Sequence, residues 1–184
     1  MLENIIAYHC GPALAGIKPA NIASCYKAKI PNIYSEINRL NNQLNCKDIY
    51  IEILCNCEKR VLIMVYRKKV LEKHLQNPEI INFLNDFGYS SAFGTQKYIN
   101  HLKSRISKCS VFPHEIGVFL GYPLHDVYGF INHRDDGCIL IGEWKVYEDA
   151  EGAKKLFSRY KACRSALVKR IEKGFSLAQI FCAA

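Results

Sequence analysis

The sequence lacks the features that most directly name a function. No Gly-rich turn follows a strand pattern and no Gly-x4-Gly-Lys segment occurs, so neither a dinucleotide fingerprint nor a phosphate-binding P-loop is indicated. No apolar run approaches the length of a bilayer span; residues 61–66 are among the longest. No lipidation motif, internal repeat, low-complexity tract or flexible linker divides the chain. Residues 1–18 contain Glu3 and no basic side chain before Lys18, the wrong charge for a secretory leader. Cysteine is not scarce, but its arrangement excludes the usual uses. The nine Cys are odd in number and irregularly spaced, and the one close pair, Cys55-Asn56-Cys57, has no second pair to complete a zinc site. Reduced thiols in a cytoplasmic protein are expected, with no disulfide framework, no metal and no membrane association.

What is present describes an ordinary globular chain. Its 184 residues are 49% hydrophobic and 23% charged, enough to build the core of one domain over residues 1–184. Lys and Arg number 25 against 17 Asp and Glu, and the net charge of +8 favours anionic partners.

Periodicity gives the element order. Ile49, Ile51 and Ile53 alternate with Tyr50, Glu52 and Leu54, and Val61, Ile63 and Val65 repeat the pattern. The polar connection between them predicts an antiparallel hairpin over 49–54 and 61–66. Ile33, Ile37, Leu40 and Leu44 share one helical face in 32–45. The longest helix spans 149–173, with Ala153, Phe157, Tyr160, Cys163 and Leu167 on its apolar stripe, which makes Cys163 a buried structural thiol. A short helix over 2–9 is expected to end at Gly11-Pro12, residues 13–18 to be extended, and Pro19 to open a helix running to about residue 27. Further helices fit 68–76, 79–87, 95–108, 114–120, 124–132 and 176–182, and short strands fit 138–141 and 143–147. The fold class is α+β, an antiparallel or mixed sheet covered by helices.

Three blocks carry candidate chemistry. The first is His9-Cys10-Gly11-Pro12 with Gly16-Ile17-Lys18-Pro19, where a helix N-terminus beside Lys18 would hold an anion and His9 would activate the Cys10 thiol. The second runs from Pro113 to Ile131. Ile116, Gly117, Leu120, Gly121, Val127 and Phe130 match a helix-turn-helix pattern over 114–131, yet residues 124–130 contain no Arg, Lys, Asn or Gln. Sequence-specific DNA binding is therefore not expected. His114 and Glu115 in the same block form a candidate proton-transfer pair, and Tyr122 closes it. The third block, Glu143-Trp144-Lys145-Val146-Tyr147, leads into the long helix, whose eight basic and three acidic residues over 149–173 suit an acidic protein partner.

At these blocks the chain resembles an uncharacterised family of small bacterial proteins, a domain of unknown function. The matching residues are His9 to Ala20, Val65-Tyr66-Arg67-Lys68, Pro113 to Ile131, Trp144 to Tyr147, and Phe157 through Tyr160-Lys161 to Cys163. That family has no established activity, so the resemblance implies no residue roles and no cofactor.

The leading expectation is a pocket for a small anionic ligand built from the 9–18 and 114–122 segments, with thiol-dependent enzymatic chemistry. Cys10, His114 and Glu115 would be its reactive groups, and His9, Gly16, Lys18, Tyr122, Trp144 and Lys145 its ligand contacts. The alternatives are a nucleic-acid-binding regulator using 114–131 and a module docking on an acidic redox protein.

Overall fold

A computed structural model describes residues 1–90, 94–108 and 112–182. Its centre is a three-stranded antiparallel sheet in the order β1 (Ala20–Tyr26), β3 (Arg60–Arg67), β2 (Ile49–Asn56). The expected hairpin is β2–β3, in register from Ile49 opposite Arg67 to Ile53 opposite Ile63, with a bulge between Ile53 and Cys55. β3 is the middle strand because both of its faces are apolar, as a strand covered on two sides must be.

Val61, Ile63 and Val65 point to one face with Ile49, Ile51, Ala23 and Cys25. Helices α1 (Leu2–Leu14), α2 (Ile33–Leu44), α8 (Ala150–Glu172) and α9 (Leu177–Cys182) cover that face. Met64, Tyr66, Leu54 and Ala20 point to the other. There they meet α3 (Lys68–Leu75), α4 (Pro78–Asn85), α5 (Thr95–Lys108), α6 (Ile116–Phe119) and α7 (Leu124–His133). The chain is thus α+β, with its sheet between two helical layers. A small hairpin, β4 (Leu140–Ile141) and β5 (Lys145–Val146), adds a third cluster in which Trp144 and Val146 pack on Ala153 and Tyr160 of α8. Among the described residues no helix is long and apolar enough to cross a membrane.

Two expectations near the N-terminus are corrected. α1 does not stop before Gly11 but continues through Pro12 to Leu14. Pro12 removes one helical hydrogen bond, and the buried Ala13 and Leu14 beyond it keep the last turn in place. The end is a Schellman turn: Gly16 N donates to Ala13 O and Ile17 N to Pro12 O, with Gly16 at φ 74°. Residues 13–18 are therefore helix end and turn. Residues 20–26 form a strand, not a helix opened by Pro19, because pairing with β3 from Ala20–Tyr66 to Tyr26–Arg60 outweighs local preference.

Gly121, just after α6, has φ 71°, and a Cβ there would lie 2.5 Å from Pro19 Cδ. This close approach seats the α6–α7 turn against the start of β1. Gly121→Val should lower the unfolding free energy by about 2–4 kcal/mol in urea titration, through backbone strain and overlap with Pro19.

Candidate functional site

The Schellman turn reverses the chain so that Lys18 falls between the end of α1 and β1. Its side chain is 2% exposed. The ammonium lies 4.9 Å from the Tyr122 ring centroid and 5.4 Å from that of Tyr160, and no hydrogen bond or ion pair joins it to any described residue. Burial lowers the Lys18 pKa to about 8; Glu143 opposes the shift and Arg164 adds to it.

Lys18 lines a cavity of about 610 Å³. Tyr8 and His9 of α1 form one wall and Asn21 of β1 another. Tyr122 closes the side nearest α6, Glu143 reaches in from the β4–β5 turn, and Lys161 and Arg164 come from α8. Arg164 and Glu143 form a two-pronged ion pair: Nη1 donates to Oε2 at 3.0 Å, and Nη2 donates to Oε1. Gly11 makes room for this. A Cβ on Gly11 would meet the Arg164 backbone and side chain at 3.2–3.3 Å, so α8 lies close against α1 there. Asn21 is pinned by Ala13 N, which donates to its Oδ1 at 3.1 Å. The Tyr122 hydroxyl donates to Glu143 O at 3.1 Å, and burial pushes its pKa up to about 12. Lys18, Lys161 and Arg164 face one carboxylate, so the cavity has an excess of positive charge.

A second cavity, about 380 Å³ and largely apolar, lies on the far side of Tyr122. His114, Phe130, Trp144 and Lys145 line it, and it shares Tyr122 and Glu143 with the first. Trp144 stacks on Tyr122 with ring centroids 5.0 Å apart, and its Nε1 donates to buried Asp126 Oδ2 at 2.6 Å. Asp126 Oδ1 also accepts from Tyr147 N at 2.7 Å, tying α7 to β5.

The single pocket expected from residues 9–18 and 114–122 is thus two cavities with one wall in common. Lys18, His9 and Tyr122 line the first; His114, Trp144, Lys145 and Tyr122 line the second. Lys145 is held by Asp135, to which its ammonium donates. Cys10 lines neither. It is 0% exposed in the core beneath α1, and burial drives its thiol pKa upward, the reverse of activation by His9, which is exposed. Gly16 ends a helix and lines neither cavity. Glu115 is fully buried away from both cavities, where Arg105 Nε donates to its Oε1. No helix begins at Pro19, so Lys18 does not sit beside a helix N-terminus.

The 114–131 unit is packed on its partners. α6 is a single turn, and α7 buries Asp126 and Val127 while Gly129 lies under Tyr147. Its exposed residues, Tyr128, Asn132 and His133, include no Lys or Arg. Cys163 is half-buried against the α1 face of the core. Cys55 and Cys57 bring their Sγ atoms to 2.9 Å at the turn between β2 and β3. Among the described residues no group of three metal-binding side chains occurs; Cys109 lies outside them. The solvent face of α8 exposes Lys154, Lys155, Arg159 and Lys169.

Arg164, Lys161, Tyr160 and Asn21 carry no motif that marks them for this site in the sequence. The available signal was spacing: Tyr160, Arg164 and Val168 follow each other at four-residue steps beside the apolar stripe, so Arg164 had to face inward.

The chain belongs to the DUF3793 family. The family, described as protein of unknown function, matches residues 6–181, a span that contains every residue of both cavities. No curated protein and no solved structure matches the chain.

Cys10 should resist alkylation in the native protein and react only when the chain unfolds. Iodoacetamide labelling with peptide mapping, with and without urea, measures this; modification of native Cys10 at the rate of exposed Cys57 would contradict the burial described above.

Proposed function

We propose that this DUF3793 protein binds a small anionic ligand, a carboxylate or phosphate compound, in the Lys18 cavity. The observation that carries the reading is the buried Lys18 ammonium, which faces the cavity without an acceptor of its own. A buried cation is ordinarily paired. A bound anion would supply the missing partner, with Lys161 and the Glu143-held Arg164 as further donors. The cavity volume lies within the range of small-molecule sites. Thiol chemistry has no part in this reading, since Cys10 is sealed in the core and lines neither cavity.

Calorimetric titration with sulfate and inorganic phosphate should show saturable, salt-sensitive binding to the wild-type protein. Lys18→Met should weaken it about tenfold or more, the loss of one charge-assisted contact, with circular dichroism unchanged. Absence of saturable binding into the tens of millimolar, or equal binding by the variant, would overturn the reading.

The pH dependence has a definite sign. Lys18 is cationic below about 8 and neutral above it. Sulfate does not titrate in this range, so its affinity should be constant from pH 6 to 7 and fall as pH rises through about 8. Affinity that held flat to pH 10 would place the anion away from Lys18.

A further inference from the structure

We propose that Lys18 forms an imine with its ligand, and that the natural ligand is therefore a small aldehyde or ketone carrying a carboxylate or phosphate. The proposal deepens the anion-binding reading and rests on it.

Three features of the cavity point to this chemistry. The Lys18 nitrogen faces the cavity with no hydrogen bond or salt bridge to divert its lone pair or fix its proton. Its neighbours are the faces of Tyr122 and Tyr160, which hold it in place, and no carboxylate is in ion-pair contact with it; Glu143 of the same cavity is paired with Arg164. The remaining cations, Lys161 and Arg164, line the same cavity, and Arg164 is fixed by Glu143, so an anionic group bound to them would hold a carbonyl within the same enclosure. Purely electrostatic anion binding is served equally well by a protonated lysine in water. A desolvated lysine without a counter-ion is instead the arrangement that yields a neutral, nucleophilic amine. The charged groups that bear on Lys18 are Glu143, which favours the ammonium, and Arg164, which disfavours it; the Cys10 thiol lies behind it in the core. With its pKa lowered to about 8, an appreciable fraction of Lys18 is neutral at pH 7.

The step balances without a further co-reactant. The ammonium first gives a proton to solvent. The amine lone pair then forms the N–C bond as the carbonyl π pair moves to oxygen, which takes up a proton. The nitrogen gives one proton to solvent, leaving the neutral carbinolamine; a proton from solvent then lets the hydroxyl depart as water while the nitrogen lone pair forms the C=N bond, and the nitrogen returns its last proton to solvent. Carbon is neither oxidised nor reduced.

The test uses glyoxylate, an aldehyde with an adjacent carboxylate, followed by sodium borohydride and peptide mapping for carboxymethyl-lysine. At pH 7 the expected result is preferential modification of Lys18, about tenfold or more above exposed Lys154 and Lys155, and suppression of that labelling by excess sulfate. Lys18→Arg should keep sulfate binding within about threefold of wild type and lose the dominant adduct. Mapping the wild-type protein decides the matter even if that variant does not fold. Sulfate binding with adducts confined to surface lysines overturns the imine and leaves the anion site standing. An adduct at Lys18 that sulfate neither suppresses nor binds beside supports the imine and overturns the anion reading. Neither binding nor an adduct overturns both.

Discussion

An ammonium group withdrawn from water with no carboxylate against it is the constraint around which the α1–α8 side of this molecule is arranged. The effective desolvation penalty for such an ion is several kcal/mol. The ring faces of Tyr122 and Tyr160 return about 0.5–2 kcal/mol each, so an unpaired protonated Lys18 is a net cost to the fold. The surroundings nevertheless hold the side chain there: the Schellman turn aims it inward, Gly121 lets Pro19 close behind it, and Gly11 brings Arg164 of α8 to the same cavity. Each of these is a backbone or packing feature that a solvent-facing lysine would not require. Binding an anion, or losing the proton, removes the cost, and the two routes correspond to the two chemistries proposed for the cavity.

The parts of the fold that were legible in the sequence are those whose partners lie close along the chain or whose stripe is long. The β2–β3 hairpin follows from period-two alternation across a short polar turn, and α2 and α8 from repeated three- and four-residue steps. β1 is not legible as a strand because its residues, Ala-Asn-Ile-Ala-Ser-Cys-Tyr, carry no clear period and a Pro precedes them. Its strand form comes from pairing with β3, some forty residues away, and from Asn21 meeting Ala13 N. Gly11-Pro12 is expected to end the first helix and residues 13–18 to be extended, whereas only Gly16 breaks the helix. Proline forfeits a single donor, while a residue at positive φ ends the hydrogen-bond ladder outright.

The candidate site was half legible for a related reason. Lys18 stood out as an isolated basic residue among Gly and Pro, and Tyr122, Glu143 and Trp144 lay in blocks already marked. What a sequence does not display is which side of a side chain is wet. Cys10 and Lys18 look equally available in the string, yet one packs into the core beneath the sheet and the other faces a cavity. Glu115 looked like half of a proton-transfer pair with His114, but adjacent residues point in different directions: Glu115 turns inward to Arg105 and His114 outward to the second cavity. By sequence Arg164 belongs to a basic helix surface, because charge runs are ordinarily solvated; only the proximity of α1, permitted by Gly11, turns it inward.

The block from Pro113 to Tyr147 still shapes the Lys18 cavity, though it contributes no proton-transfer group to it. Tyr122 presents its ring to the Lys18 ammonium and stacks on Trp144, and its hydroxyl donates to the backbone of Glu143. Trp144 is in turn fixed by Asp126, which also holds Tyr147 and so joins α7 to β5. Glu143 belongs to the same short hairpin, and its carboxylate orients Arg164. The ring that shields the lysine and the carboxylate that positions the arginine are therefore set by one connected structure. It begins at a single buried aspartate on α7. On this account the helix-turn-helix-like pattern of small and apolar residues has a use unrelated to reading DNA. Gly121 brings the turn against Pro19, Gly129 admits Tyr147, and Val127 packs beside Gly117, so that Asp126 comes within reach of Trp144 and the wall of the cavity is built.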